Sequence, residues 1–277
     1  MPAFVSVKDP KSGKTILGAE DGVNQSYCDL LFYVDATPGS SIDDPERPSI
    51  PDEGDKEEPK PNEDENVTGT LAFEDIWPSG GDYDMNDVIV EYERKVYFDK
   101  KNIVTKIVDE FTPVHDGATY VNAFAYQIDA AQIGDKITLP EGAILEKETS
   151  SIIVMSNAKQ NIGNKYVVTR EFNGSFLKNQ LLSYNPYIIV KYSQGEQNRT
   201  EVHLPKHKAT AYANQSLIGS NDDAYYIDRK GAYPFAIDIP MLGFTPVTER
   251  NRIDSQYPGF TTWAKSMGND CKDWYKK

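Results

Sequence analysis

Downstream of residue 87 the chain alternates: Val88, Val90 and Tyr92 fall on one side of an extended backbone, and Ile89, Glu91 and Glu93 on the other. A period of two predicts a half-buried β-strand. The run 95–108 continues with strand-forming residues and breaks at 99–102, which predicts a hairpin. Short apolar runs follow at 121–128, 152–155, 166–172 and 187–192, set apart by Gly, Asn and Pro. Helical spacing occurs in one place, where Phe260, Trp263, Ala264 and Met267 share a face between Pro258 and Gly268. The expected fold is therefore all-β, an antiparallel β-sandwich of jelly-roll-like type, with one short C-terminal helix closing an end of the core.

The pattern fails between Asp43 and Glu65, where eleven acidic and three basic residues accompany five prolines, and Ile50 is the one large apolar side chain. Such a segment buries too little apolar surface to offset the entropy of ordering, so residues 43–66 are expected to form an extended, self-repelling linker. It separates a piece at 1–42 from a domain at 67–277. Across the linker there is a weak repeat. Residues 16–34 and 70–92 each read as a strand ending in Glu-Asp, a polar turn, then an Asp opening a second strand. With Asp29 set on Asp87, Asn24 faces Asp82, Ser26 faces Asp84 and Cys28 faces Asn86, so the first copy keeps the frame and loses most of the charge.

Composition narrows the partners. With 277 residues and 39% hydrophobic side chains the chain can form a sizeable core, and a net charge of -14 leaves no basic stripe for nucleic acid. The linker carries -8 of that charge, so the acidity is partly a property of one segment. Cations, or neutral ligands such as a surface glycan or a protein, are the expected partners. Cys28 and Cys271 stand at opposite ends and define neither a zinc site nor a disulfide framework. No run approaches the ~20 apolar residues of a transmembrane helix, and the first residues lack the pattern of a signal peptide.

The densest candidate chemistry lies in residues 71–92, "LAFEDIWPSGGDYDMNDVIVEY". Asp82, Asp84 and Asn86 alternate, so a semi-extended loop projects all three to one side. Glu74 and Asp75, brought back by the turn at 77–81, and Asp87 complete a set of six oxygen donors. Carboxylate and amide oxygens suit Ca²⁺, which takes about 6–8 such ligands, and a bound cation would relieve the mutual repulsion. The Asp-x-Asp-x-Asn spacing also matches the opening of an EF-hand loop, with Glu93 at its last ligand position. However, Asp87 occupies the place that loop reserves for glycine, and strand rather than helix follows. The competing reading is a solvated turn whose Asp residues cap main-chain N–H groups. An ordinary turn is the expectation for Asn221, Asp222 and Asp223.

Signatures of common hydrolases and nucleotide-binding loops are absent. His203 and His207 are separated by Pro205, which breaks any helix that would align them, so His203 is read as satisfied at a strand end and His115 as part of a turn. A glycosidase needs two acids about 5–9.5 Å apart across a sugar-sized cleft, which one contiguous turn does not resemble. A non-enzymatic, calcium-stabilised binding or adhesion module ranks first, a structural spacer second and a glycoside hydrolase third. For a glycan ligand Trp77, Tyr83 and Tyr120 are candidate stacking platforms, while Trp263 and Trp274 are expected in the core.

The segment 71–92, "EVHLP" at 201–205, "YPFAIDIP" at 233–240 and "YPGFTTWAKSMGNDCKDWY" at 257–275 together resemble the LruC-type domain, a domain of bacterial cell-surface and secreted proteins, notably of Bacteroidetes and spirochaetes. The resemblance covers about 67–277. The first piece resembles the end of a calcium-associated β-domain that commonly precedes it, although Asn24, Ser26 and Cys28 replace that domain's acidic run and put a metal at Glu20, Asp21 and Asp29 in doubt. The resemblance implies the C-terminal part of a longer extracellular or outer-membrane surface protein, with an export signal or lipid anchor upstream. The family brings no established reaction.

Overall fold

The computed structural model describes residues 3–8, 15–20, 30–34, 62–174 and 176–276, which belong to two compact units, Met1–Lys60 and Pro61–Lys277. In the first unit β1 (Ala3–Lys8), β2 (Thr15–Glu20) and β3 (Leu30–Val34) pair antiparallel in that order. β2 ends at Glu20 and β3 starts just after Asp29, so the two strands expected within 16–34 are present and paired. Asp21, Asn24, Ser26, Cys28 and Asp29, expected in a polar turn, lie outside the described residues, as does the acidic segment 43–60.

The second unit contains β4 (Asn62–Phe73), β5 (Val88–Phe98), β6 (Val104–His115), β7 (Ala123–Gln127), β8 (Lys136–Thr138) and β9 (Ile144–Glu146). It continues with β10 (Ser151–Met155), β11 (Tyr166–Glu171), β12 (Asn185–Val190), β13 (Thr200–His203), β14 (Ala236–Ile239) and the helix α1 (Phe260–Lys265). Two antiparallel sheets result, one of six strands in the order β14-β4-β5-β6-β11-β8 and one of five in the order β13-β12-β7-β10-β9. The all-β sandwich with one short helix is thus the fold.

The core lies between the sheets. Phe111 of β6 packs on Phe124 and Tyr126 of β7 with ring centroids 5.1 and 5.0 Å apart, and Phe73 of β4 reaches Phe124 at 6.3 Å. Burial alternates from Ile107 to Pro113 in β6, whereas β10 is buried along its whole length, as expected for a strand covered on both faces. Val88, Ile89 and Val90 are all buried, because the C-terminal segment through Val247 and Ile253 joins the same cluster and covers that end.

Three expectations are corrected. β4 begins at Asn62, inside the stretch read as linker, and Asn62, Glu63 and Glu65 pair with Phe98, Tyr97 and Val96 of β5. A long strand needs a partner for its N–H and C=O groups, and this draws in residues whose side chains have no strand preference. His115 ends β6 rather than lying in a turn. Met267 does not join the helical face. α1 stops at Lys265, the Met267 and Gly268 N–H groups bond back to Ala264 and Trp263 carbonyls, and Met267 takes the left-handed position (φ 54°) of a Schellman-type end, leaving it 56% exposed. Phe260, Ala264 and Trp274 are buried as expected, and Trp263 packs half-buried against them.

Candidate metal centre

The acidic turn joins adjacent strands, leaving β4 at Phe73 and entering β5 at Val88, which are paired. Its apolar side chains anchor it. Trp77 is 3% exposed and donates from Nε1 to Asp223 Oδ1 (2.8 Å), Tyr83 is 8% exposed against Tyr233 and Phe235, and Met85 is fully buried. Tyr83 and Met85 both have φ of 55°, a conformation that costs a bulky residue roughly 1–2 kcal/mol. With these two side chains committed to the core, the alternate residues Asp82, Asp84 and Asn86 are left to the polar side. A later segment straps the turn: Ile253 N–H donates to the Tyr83 carbonyl (2.8 Å), Arg250 N–H to Asp84 Oδ2 (2.9 Å) and Asn86 Nδ2 to the Val247 carbonyl (3.0 Å).

Glu74, Asp82 and Asp84 converge, each offering an oxygen within 4.8 Å of the other two. Glu74 is 1% exposed; its Oε1 accepts from Met85 N–H (2.7 Å), while Oε2 is buried without a hydrogen-bond donor. A Cβ on Gly81 would lie 3.0 Å from that Oε2 and 2.6 Å from Ile76 Cδ1, so the backbone approaches the carboxylate as only glycine allows. Asp75 turns the other way, its Oδ2 accepting from Asn122 Nδ2 (2.8 Å). Asp87 lies between the groups: its Oδ2 accepts from Asp75 N–H (2.8 Å), and its charge acts on Glu74 as well. The Asn86 amide oxygen is buried without a donor. The six predicted donors therefore share one end of the sandwich, with three brought to a point.

Burial, and then the charge of Asp87, hold the Glu74 carboxyl well above the usual range. Burial also pushes Asp84 up to about 6 against the Arg250 N–H bond that favours its ionised form, with Asp82 and Glu249 adding repulsion. Asp87 is pushed up to about 7, first by burial and then by Asp75, Asp84 and Asp82, against the Asp75 N–H bond. Such carboxyls either keep protons or take up a cation. Oxygen-only donors, one of them an orphaned buried oxygen, fit a hard divalent ion such as Ca²⁺ and suit no soft metal.

Other acids have different tasks. Asp223 accepts from Trp77 Nε1, Tyr226 N–H and Gly219 N–H, and Asp222 accepts from Gly80 N–H, so 221–223 is a hydrogen-bonded turn as expected. His203 is buried between Asn185 Oδ1 (2.7 Å) and Glu201 Oε2 (2.9 Å). The glycan platforms fare badly, since Trp77 and Tyr83 are core and Tyr120 alone of the three is exposed. A cavity of about 300 Å³ lined by Tyr92, Arg94, Tyr184 and Asp238 contains none of the acidic-turn residues. One residue escaped sequence reasoning: Asp116, buried just beyond β6 beside Gly117. The Asp-Gly pair signals a turn, but its position beside Asn86 depends on the β5–β6 register.

Residues 145–275, which hold β10 to β14 and α1, match the model of a domain of unknown function, DUF4842. The fold is similar to the crystal structure of a Bacteroides ovatus protein described as a "Putative lipoprotein", at 19% identity and a TM-score of 0.57 over 76% of this chain and 74% of that one. At that identity the likeness concerns the fold. No curated protein matches the chain. Among the described residues no helix is long and apolar enough to cross a membrane.

Proposed function

We propose that this chain is a non-enzymatic module of a bacterial cell-surface or secreted protein, of LruC type, stabilised by Ca²⁺ at its acidic turn. The observation that carries the calcium reading is the Glu74 carboxylate, buried with Oε2 lacking a donor and within 4.8 Å of oxygens from Asp82 and Asp84. Those three residues hold the ion, and Asp87 adds negative charge beside them. The ion neutralises carboxylates that otherwise repel and ties the β4 end to the β5 start; its role is structural.

The surface location is supported by the LruC-type motifs and by the lipoprotein description of the Bacteroides ovatus structure. The non-enzymatic reading is supported by the packing of the acids. Glu74 is enclosed by Gly81 and Ile76 rather than facing a sugar-sized cleft, whereas a glycosidase pair must flank a bound sugar.

Extracellular calcium modules bind with dissociation constants of ~10⁻⁴–10⁻³ M, and free ion at ten times that value stabilises the fold by about 1.4 kcal/mol. For a domain of this size that is a melting shift of roughly 3–6 °C. Scanning calorimetry with calcium and with chelator reads it; superimposable melts would overturn the proposal.

A further inference from the structure

Polar side chains stand on the core-facing side of the six-stranded sheet where packing does not call for them. Tyr92 pairs with Gly69 and Phe111, Arg94 with Val67 and Asp109, and Asp238 with Leu71, so all of these share the face that Phe111 presents to Phe124 and Tyr126. The second sheet does not cover this stretch. β13 ends at His203 and the chain turns at 204–207, where His207 N–H donates to the Leu204 carbonyl (3.1 Å). Val67 is left 45% exposed on the inner face, and Asp238 is exposed as well. The result is a crevice of about 300 Å³, at the small end of the range for ligand pockets.

Tyr92 lies across β4. Its hydroxyl donates to Asp238 Oδ1 and Oδ2 (3.0 and 3.2 Å) on β14, and a Cβ on Gly69 would sit 2.6 Å from that hydroxyl. Glycine is therefore required at 69, inside a strand where it otherwise weakens the pairing. Arg94 is fixed from two sides, by Nε donating to Asp109 Oδ1 (3.2 Å) and by the Tyr184 ring, whose centroid is 3.0 Å from the guanidinium carbon. Its two terminal nitrogens have no partner among the described residues, and the side chain is 19% exposed. A second cavity of about 250 Å³ continues the crevice, sharing Leu204, His207 and Asp238 and adding Trp263 and Met267.

We propose that this crevice binds an oligosaccharide, one pyranose ring lying on Tyr92 between Arg94 and Asp238 and the next reaching Trp263. A sugar hydroxyl both donates and accepts, and the crevice offers an acceptor in Asp238, free donors in Arg94 and either role in His207. The aromatic rings meet the apolar C–H face of the sugar. Two linked cavities, each with an aromatic side chain in its wall and with polar groups between them, suit a chain of repeating units. This names the ligand class of the surface module proposed above, and rests on that reading for its role in binding rather than turnover. Calcium is not part of it, because the crevice lies towards the end of β4 and β5 away from the acidic turn.

Isothermal titration of the full chain with cellohexaose, chitohexaose and hexagalacturonate tests it and separates neutral, acetamido and acidic units. Heat of binding is expected with at least one of them at millimolar concentration, equal in calcium and in chelator. Asp238→Ala, at an exposed position, should weaken that binding roughly tenfold or more, the effect of losing a hydrogen bond to a charged group. Tyr92→Phe, which keeps the ring, should weaken it less. Met267→Asp should weaken the hexasaccharide and leave the matching disaccharide unchanged. No heat with any of the three overturns the ligand class. Full-strength binding in Asp238→Ala, or binding only in calcium, overturns the placement. Shortened sugars in the wild-type mixture, absent with Asp238→Ala, would support the crevice as the site while overturning the non-enzymatic reading. The wild-type titration depends on no variant folding, and a missing calcium response leaves it intact.

Discussion

Glu201, within the edge strand β13, and Glu74, just beyond β4, are both buried carboxylates, and their surroundings treat them in opposite ways. Glu201 accepts from Arg199 Nε (2.7 Å), Thr210 Oγ1 (2.7 Å) and Thr210 N–H (3.0 Å), and pairs with His203 Nε2 at 2.9 Å. Burial alone would raise its pKa, yet His203, Arg199 and Thr210 together bring it below the ordinary value. Glu74 has one main-chain N–H against its burial and three acidic neighbours, Asp87, Asp84 and Asp82, and its pKa goes up. One acid has its counter-charge built into the chain; the other stands where an ion from solution would complete it. An acid is thus a metal candidate not because it is buried or clustered but because the fold leaves it without donors.

Removing a built-in partner should have the largest effect. Arg199→Leu strands Glu201 and also releases Glu146, which the same guanidinium holds at 2.6 and 2.8 Å. Loss of about 3–5 kcal/mol is expected in urea denaturation, equal in calcium and in chelator. A calcium-dependent loss would blur the two regions.

At the acidic turn the sign should depend on the ion. Glu74→Gln keeps an acceptor for Met85 N–H while removing a repelled charge, so in chelator it should melt at or above the wild type. In calcium it should melt lower, losing the ~1.4 kcal/mol that the ion supplies at tenfold excess. Arg199→Leu has no such reversal, and melts in both buffers separate the cases.

The smallest effect is on pH. Asp84 and Asp87 titrate higher in the folded chain, at about 6 and about 7, than the unfolded value near 3.8. Between those values the native state holds more protons than the unfolded state, so their contribution is fully present below about pH 4 and is lost as pH rises through 6 to 7. In chelator, melting temperature should therefore fall from pH 5 to pH 8, and calcium should flatten the slope. A rise over that range in chelator would place the ionised carboxylates among donors after all.

Much of this was legible in the chain. Alternation and turn residues identify the β5–β6 hairpin, and short apolar runs identify β7, β10, β11 and β12, because burial on a sheet is written every second residue or as a continuous run. β8 and β9 are three residues each, too short for any period, and β4 starts at Asn62 and Glu63 because β5 requires a backbone partner. The convergence of Glu74, Asp82 and Asp84 follows from their spacing around Tyr83 and Met85. The positions of Asp116 and of the 247–253 strap do not, since both depend on register and on contacts more than 20 residues away. The same tertiary burial took Trp77 and Tyr83 out of contention as sugar platforms.

The central claim is an ion among Glu74, Asp82 and Asp84. Crystals grown in calcium, with diffraction collected at a long wavelength, test it directly. The account predicts an anomalous peak about 2.3–2.6 Å from oxygens of all three residues, which includes Glu74 Oε2. An ordered map without that peak, with Glu74 Oε2 bonded to a water or to a neighbouring protonated carboxyl, would contradict it.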